Sequence, residues 1–166
     1  MRSIEHVLAL WKIGVLSSDA VVAWADDQIL SSSNPRYELL ELSLAGPAAC
    51  LKRPIEEFSV RPLPLSFAQE FCTLALTVDL ASDKDALWFA RWAAQNALTE
   101  DLDEPLVMFS YRLDHLLDDC NDPGAAVRLL RDELPPMIPR CESVVVPLFG
   151  QVPNNSFKPK PLRGSA

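Results

Sequence analysis

The densest run of side chains able to do chemistry is Asp118-Asp119-Cys120-Asn121-Asp122. Aspartates in an Asp-Asp-x-x-Asp spacing gather magnesium, a hard cation that takes oxygen ligands and bridges the oxygens of a diphosphate. With Asp114 added, they are the carboxylates a magnesium-dependent phosphohydrolase or diphosphate enzyme would use. Glu38–Glu41 and Glu100–Asp103 have the ExxE and ExxD letters that gather magnesium between neighbouring helices. Several features weigh against this chemistry. Pro123 puts Asp122 at a helix junction, where capping explains it, and Glu100–Asp103 falls in an interhelical loop. Nucleophilic catalysis is less supported still: His115 is the sole internal histidine, no Gly-x-Ser-x-Gly elbow occurs, and nothing in the sequence places a cysteine beside a base. The 5 glycines form no phosphate-cradling loop. Cysteines 50, 72, 120 and 141 are widely spaced and the other histidine is His6, so no zinc site is expected. The four thiols read as reduced and mostly buried. No cofactor and no metal are expected, and the chain reads as a non-enzyme.

The elements that carry these residues are helices, marked by their boundaries. Ser3 caps a helix over 4–13 with Ile4, Val7, Leu8 and Trp11 on one stripe, and Gly14 ends it. Ser17 or Ser18 opens a second, to about Leu30. Asn34-Pro35 supplies a cap and first-turn proline for Tyr37–Leu44, which Gly46-Pro47 closes. Pro47, Pro54, Pro62 and Pro64 make residues 46–66 a connection with a short helical piece. Ser66 and Gln69 have the capping-box spacing for a helix to about Leu80. Ser82 or Asp83 begins a helix to about Leu98, Pro105 one to about Asp119, and Asp122-Pro123 one to about Leu134. Beyond Pro135-Pro136 the pattern fails, and Val144, Val145 and Val146 read as an extended segment laid against the bundle. The expected fold is therefore all-α: a single-domain antiparallel helical bundle, or a short right-handed αα array, of about eight helices. Its domain spans 1–150, with an irregular C-terminal segment and an extended Pro/Lys-containing tail over 151–166.

The Asp118–Asp122 string resembles the DDxxD motif of isoprenoid synthases, which are all-helical, and the paired acids resemble those of helical nucleotide pyrophosphohydrolases. The first resemblance is confined to that string, with no second metal motif on a facing helix. Separately, Gly14-Val-Leu-Ser-Ser-Asp-Ala-Val-Val-Ala-Trp24-Ala25-Asp26, followed by Pro35 and Leu39-Leu40-Glu41-Leu42, resembles the start of small uncharacterised helical proteins encoded by many bacteria. This covers about the first 45 residues. It implies a bacterial helical protein and carries over no activity and no functional residue.

Charge points toward partners. The chain carries 23 acids against 15 Lys and Arg, a net charge of −8. Three of those cations, Lys158, Lys160 and Arg163, lie beyond residue 150, where there is no acid, so residues 1–150 carry −11 (−8 less 3). Such a body repels nucleic acid and attracts a basic protein. No apolar run approaches the roughly 18 residues of a membrane span, and no signal peptide is recognisable, so the expected location is the cytoplasm.

Two surfaces could receive a protein partner. On the helix from Pro105, Leu106, Phe109, Leu113, Leu116, Leu117 and Cys120 form the expected core stripe. That leaves Tyr111, Asp114, His115 and Asp118 outside, flanked by Asp119 and by Asp101, Asp103 and Glu104 of the preceding loop. Like charges at Asp114 and Asp118, spaced i,i+4, weaken an isolated helix, so helix stability does not explain them. Trp88 and Trp92 fall in the polar arc of their helix, either covered by a neighbouring segment or exposed as anchors. The leading expectation is an immunity or antitoxin-type inhibitor of a basic, nuclease-like bacterial toxin. The alternatives are a helical scaffold or adaptor and the magnesium enzyme above.

Overall fold

The computed structural model describes residues 3–98 and 100–150. Among them are eight α-helices and no strand. They are α1 (Ile4–Lys12), α2 (Ser18–Leu30), α3 (Tyr37–Cys50), α4 (Phe67–Ala75), α5 (Asp83–Ala97), α6 (Pro105–Asp114), α7 (Pro123–Glu133) and α8 (Ile138–Phe149). The all-helical expectation holds. No described helix is long and apolar enough to cross a membrane. The expected tail, 151–166, lies outside the described residues. The described chain groups into two compact units, 3–64 and 65–150.

In the first unit α1, α2 and α3 pack on one another, most extensively α2 on α3. Ser17 Oγ accepts the Ala20 amide at 3.1 Å and so caps α2. The N-cap of α3 is Arg36, two residues after the expected Asn34, so Pro35 precedes the helix instead of opening its first turn. Gly46 breaks the helical path as expected, with φ +72, a conformation that only glycine adopts cheaply. The helical run nevertheless resumes at Pro47 and reaches Cys50, because proline has the right φ and no amide to satisfy at a helix start. The proline-rich connection that follows is held by Arg61, whose guanidinium donates to the carbonyls of Phe58, Val60 and Arg53. Phe58 is fully buried, and the Leu63 amide bonds the Glu5 carbonyl at 3.0 Å.

In the second unit α4 packs on α5 and α8, and α5 on α6 and α7. The expected capping box forms: the Gln69 amide donates to Ser66 Oγ at 3.3 Å and the Ser66 amide to Gln69 Oε1 at 2.9 Å. The core is an aromatic cluster in which Phe71 meets Phe89 edge-on at 5.1 Å and Phe109 at 6.2 Å. Burying each such ring is worth about 1.5–3 kcal/mol.

Three features of this unit differ from expectation. α4 stops at Ala75, before Leu80, since the Thr77 hydroxyl bonds back to the Thr73 and Leu74 carbonyls and the chain then turns. Arg131 ties that turn down, donating to the Leu80 carbonyl at 2.7 Å and to Asp83 at 2.6 Å. The extended segment expected at Val144–Val146 is instead helix α8. Its buried side chains Cys141, Val145 and Phe149 recur every four residues, and a packed apolar stripe outweighs the β-propensity of three valines. Third, α6 ends at Asp114, and residues His115–Asp119 form a π turn.

Candidate functional site

The π turn decides what the acidic helix presents. An extra residue per turn rotates everything after it by about 100° relative to an α-helix. Leu106, Phe109 and Leu113 stay buried as expected, but Leu116 and Leu117 are only half-buried and Cys120 is exposed. The core stripe expected through Cys120 therefore ends at Leu113. The turn closes with the Cys120 amide on the His115 carbonyl at 2.9 Å and the Asp122 amide on the Leu116 carbonyl at 2.8 Å. Asn121 takes φ +49, a left-handed conformation that asparagine tolerates better than most residues. Asp122 then caps α7, accepting the Ala125 amide at 2.8 Å. The third aspartate of the DDxxD string thus serves the backbone, as its junction position implies.

Asp114, Asp118 and Asp119 share the rim of this turn. Burial, followed by the charges of Asp118 and Asp119, raises the Asp114 carboxyl above its ordinary value, with His115 opposing. Of the basic side chains nearby, His115 pairs with Asp119 and two arginines are engaged elsewhere. Arg112 forms a two-pronged pair with Glu133 at 2.5 and 2.6 Å, which holds the Glu133 carboxyl low, and Arg128 lies 3.8 Å from Asp122. Tyr111 is half-buried and donates its hydroxyl to the Leu98 carbonyl at 3.1 Å.

The loop acids divide. Asp101 and Asp103 are exposed, and Asp101 Oδ1 accepts the Asp103 amide at 3.0 Å. Glu104 is the N-cap residue of α6 and receives Arg140 of α8 at 2.9 Å, so it joins two helices. Met108, Tyr111, Arg112, His115, Leu116 and Leu129, from α6, the π turn and α7, line an open, largely apolar groove of about 350 Å³.

The tryptophan pair does not form an exposed anchor. Trp92 is 9% exposed and stacks on Phe67 at 5.9 Å and on Phe89 at 6.1 Å. Trp88 is half-buried. Of the two readings the covered one holds for Trp92, which is core and not an anchor, because Phe67 of α4 covers that side of α5.

Two arrangements were not visible in the sequence. The first is a thiol beside a base. His115 Nδ1 lies 2.8 Å from Asp119 Oδ2, and Cys120 Sγ lies 3.5 Å from His115 Nε2. The expectation that no cysteine neighbours a base is overturned, because a π turn aligns residues five apart where an α-helix does not. The other three thiols are buried, and all four are free. Cys141 faces Cys72 across α4 and α8; hydrogen bonding to that thiol and burial push the Cys141 thiol up. The second arrangement lies in the first unit. Leu30 is 85% and Leu44 83% exposed. With Ile29 and Leu40 they border a shallow recess on α2 and α3, flanked by Asp26 and Ser43.

Among the described residues no three metal-ligating side chains converge on one point. Fold and site together define an all-α protein with an acidic turn bearing a histidine-paired thiol. No protein-family model, curated protein or solved structure matches the chain.

Proposed function

We propose that this chain is a non-enzymatic binding protein, an immunity or antitoxin-type inhibitor that occupies the cationic active site of a basic, nuclease-like bacterial toxin and acts in the cytoplasm. The observation that carries this reading is the grouping of three carboxylates, Asp114, Asp118 and Asp119, in one turn. Arg112 and Arg128 are turned toward Glu133 and Asp122. Among the described residues Asp119 alone of the three carboxylates forms an ion pair or hydrogen bond across this turn, with His115, while Asp118 and Asp119 act on Asp114 as like charges. Carboxylates grouped in this way imitate the phosphates a nuclease binds, and the acidity of the whole chain accelerates encounter with a basic partner. Asp101 and Asp103 add exposed acids before the other, N-terminal end of α6. Tyr111 contributes ring surface, because its hydroxyl is engaged within the fold.

The test is inhibition. The purified chain is mixed with basic nuclease toxins, beginning with any encoded by the gene beside its own, and nuclease activity is followed. Stoichiometric inhibition supports the reading, and its absence across the set counts against it.

A second reading, a helical scaffold, is favoured by the exposed Leu30, Leu40 and Leu44 on α2 and α3. It requires a partner with an apolar anchor and affinity that depends weakly on salt. Leu30→Ser and Leu44→Ser would then weaken binding while leaving inhibition of a nuclease untouched.

A further inference from the structure

We propose that Cys120, His115 and Asp119 form a thiol–disulfide exchange site that takes neutral or cationic disulfides and discriminates against anionic ones. The proposal stands on geometry independent of the inhibitor reading. Asp119 Oδ2 accepts the Nδ1–H of His115 at 2.8 Å, which fixes the ring tautomer and leaves Nε2 as an acceptor. That acceptor lies 3.5 Å from Cys120 Sγ, within hydrogen-bonding reach of sulfur. Nucleophile, base and a carboxylate that orients the base are thus in sequence. The backbone supplies the alignment, since the His115 carbonyl and Cys120 amide close the π turn that brings the two side chains to one face.

The site is open to reagents. The side chains of His115 and Asp119 are 63% and 73% exposed, and Cys120 is the one exposed cysteine of the four. It is therefore the thiol that reacts in the native protein. His115 also lines the apolar groove formed with Met108, Tyr111, Leu116 and Leu129, a place for the body of a neutral disulfide. Asp118, Asp119 and Asp122 flank Cys120 within two residues along the chain, and Asp118 and Asp119 also act on Asp114, so the turn carrying the thiol is acidic. Of the nearby cations Arg112 is held by Glu133 and Arg128 faces Asp122, so an anionic reagent meets repulsion.

In the exchange, Cys120 Sγ attacks one sulfur of R–S–S–R while His115 Nε2 takes the thiol proton. The old S–S bond breaks and the mixed disulfide Cys120–S–S–R forms. The departing thiolate receives the proton from His115 and leaves as R–SH. One disulfide is consumed and one is formed, so no other oxidant or reductant is required. His115 is the base, and Asp119 is a positioning residue that acts through it.

The experiment uses the folded chain with three probes: neutral dithiodipyridine, cationic cystamine and doubly anionic dithiobis(nitrobenzoate). Rates are compared with those of N-acetylcysteine, and the modified residue is identified by mass spectrometry. The expected result is one adduct, on Cys120 and absent in Cys120→Ser. Relative to the free thiol, dithiodipyridine and cystamine should be favoured over dithiobis(nitrobenzoate) by at least about tenfold. His115→Ala should slow the reaction by about tenfold or more, with added imidazole restoring part of the rate. Asp119→Asn should slow it too, and Asp119→Glu should recover it. Circular dichroism spectra matching the wild type establish that the variants fold. The proposal is overturned if His115→Ala reacts as fast as the wild type, if the reagents keep the free-thiol order, or if the adduct falls on Cys50, Cys72 or Cys141.

Discussion

Asp114 is a carboxylate that the fold disfavours. Its carboxyl is raised by burial and then by Asp118 and Asp119, so the folded chain holds the Asp114 proton more tightly than the unfolded chain does. A raised acid favours folding at pH below its unfolded value, and that contribution is lost as pH climbs through the folded value. Asp114→Asn is accordingly expected to stabilise the protein at neutral pH by about 0.5 kcal/mol or less. The gain should shrink as pH falls toward the ordinary value of 3.8. Thermal melts of both proteins across that range check it. The repulsion of Asp114 and Asp118 was anticipated from their i,i+4 spacing, although in the structure the two act on each other across the start of a π turn. The pairing of Cys120 with His115 was not, because a separation of five residues aligns only in the wider turn that the structure adopts here. Thiol accessibility offers a second check on single residues. One thiol, Cys120, should titrate in the native protein, and all four should titrate after denaturation.

At the level of elements, helix starts were readable wherever a side chain caps them: Ser17, Ser66, Ser82 and Asp122 all accept a backbone amide from the first turn. Asp122→Ala should cost about 1 kcal/mol, measured by urea unfolding, because the Ala125 amide loses its acceptor at the exit of the π turn. A DDxxD reading predicts loss of a metal-dependent activity from the same substitution; the cap reading predicts loss of stability alone. Helix ends were less legible, since they are set by tertiary partners such as Arg131 on Leu80 and Asp83. The helix at Val144–Val146 was missed for a related reason. Its stripe of Cys141, Val145 and Phe149 has meaning only once α4 is there to pack against, and local β-propensity pointed the other way. The exposed pair Arg112–Glu133 joins α6 to α7 by two short hydrogen bonds. Glu133→Gln should lower stability by about 1 kcal/mol or less at neutral pH. Since the Glu133 carboxyl is held below its ordinary 4.5, the difference from wild type should vanish as pH falls through and below that value.

For the whole molecule, net acidity was legible from composition, and the run of Asp114, Asp118 and Asp119 from the chain itself, but not the π turn that carries it. Which side chains lie exposed was legible only in part. Trp92 reads as a surface residue on a wheel of α5 alone and is covered by Phe67 and Phe89, whereas Leu30 and Leu44 read as ordinary helical leucines and are exposed. A single helix's pattern does not say which neighbour covers it. The central claim is that Asp114, Asp118 and Asp119 meet the cationic site of a basic toxin. Its most direct test is the affinity of the chain for an inhibited nuclease at low and high salt, with the wild type beside the double variant Asp114→Asn, Asp118→Asn. The account predicts affinity that falls steeply with salt, and a loss of about 1–3 kcal/mol in the double variant at low salt. Affinity indifferent to salt and unchanged in the double variant would contradict it.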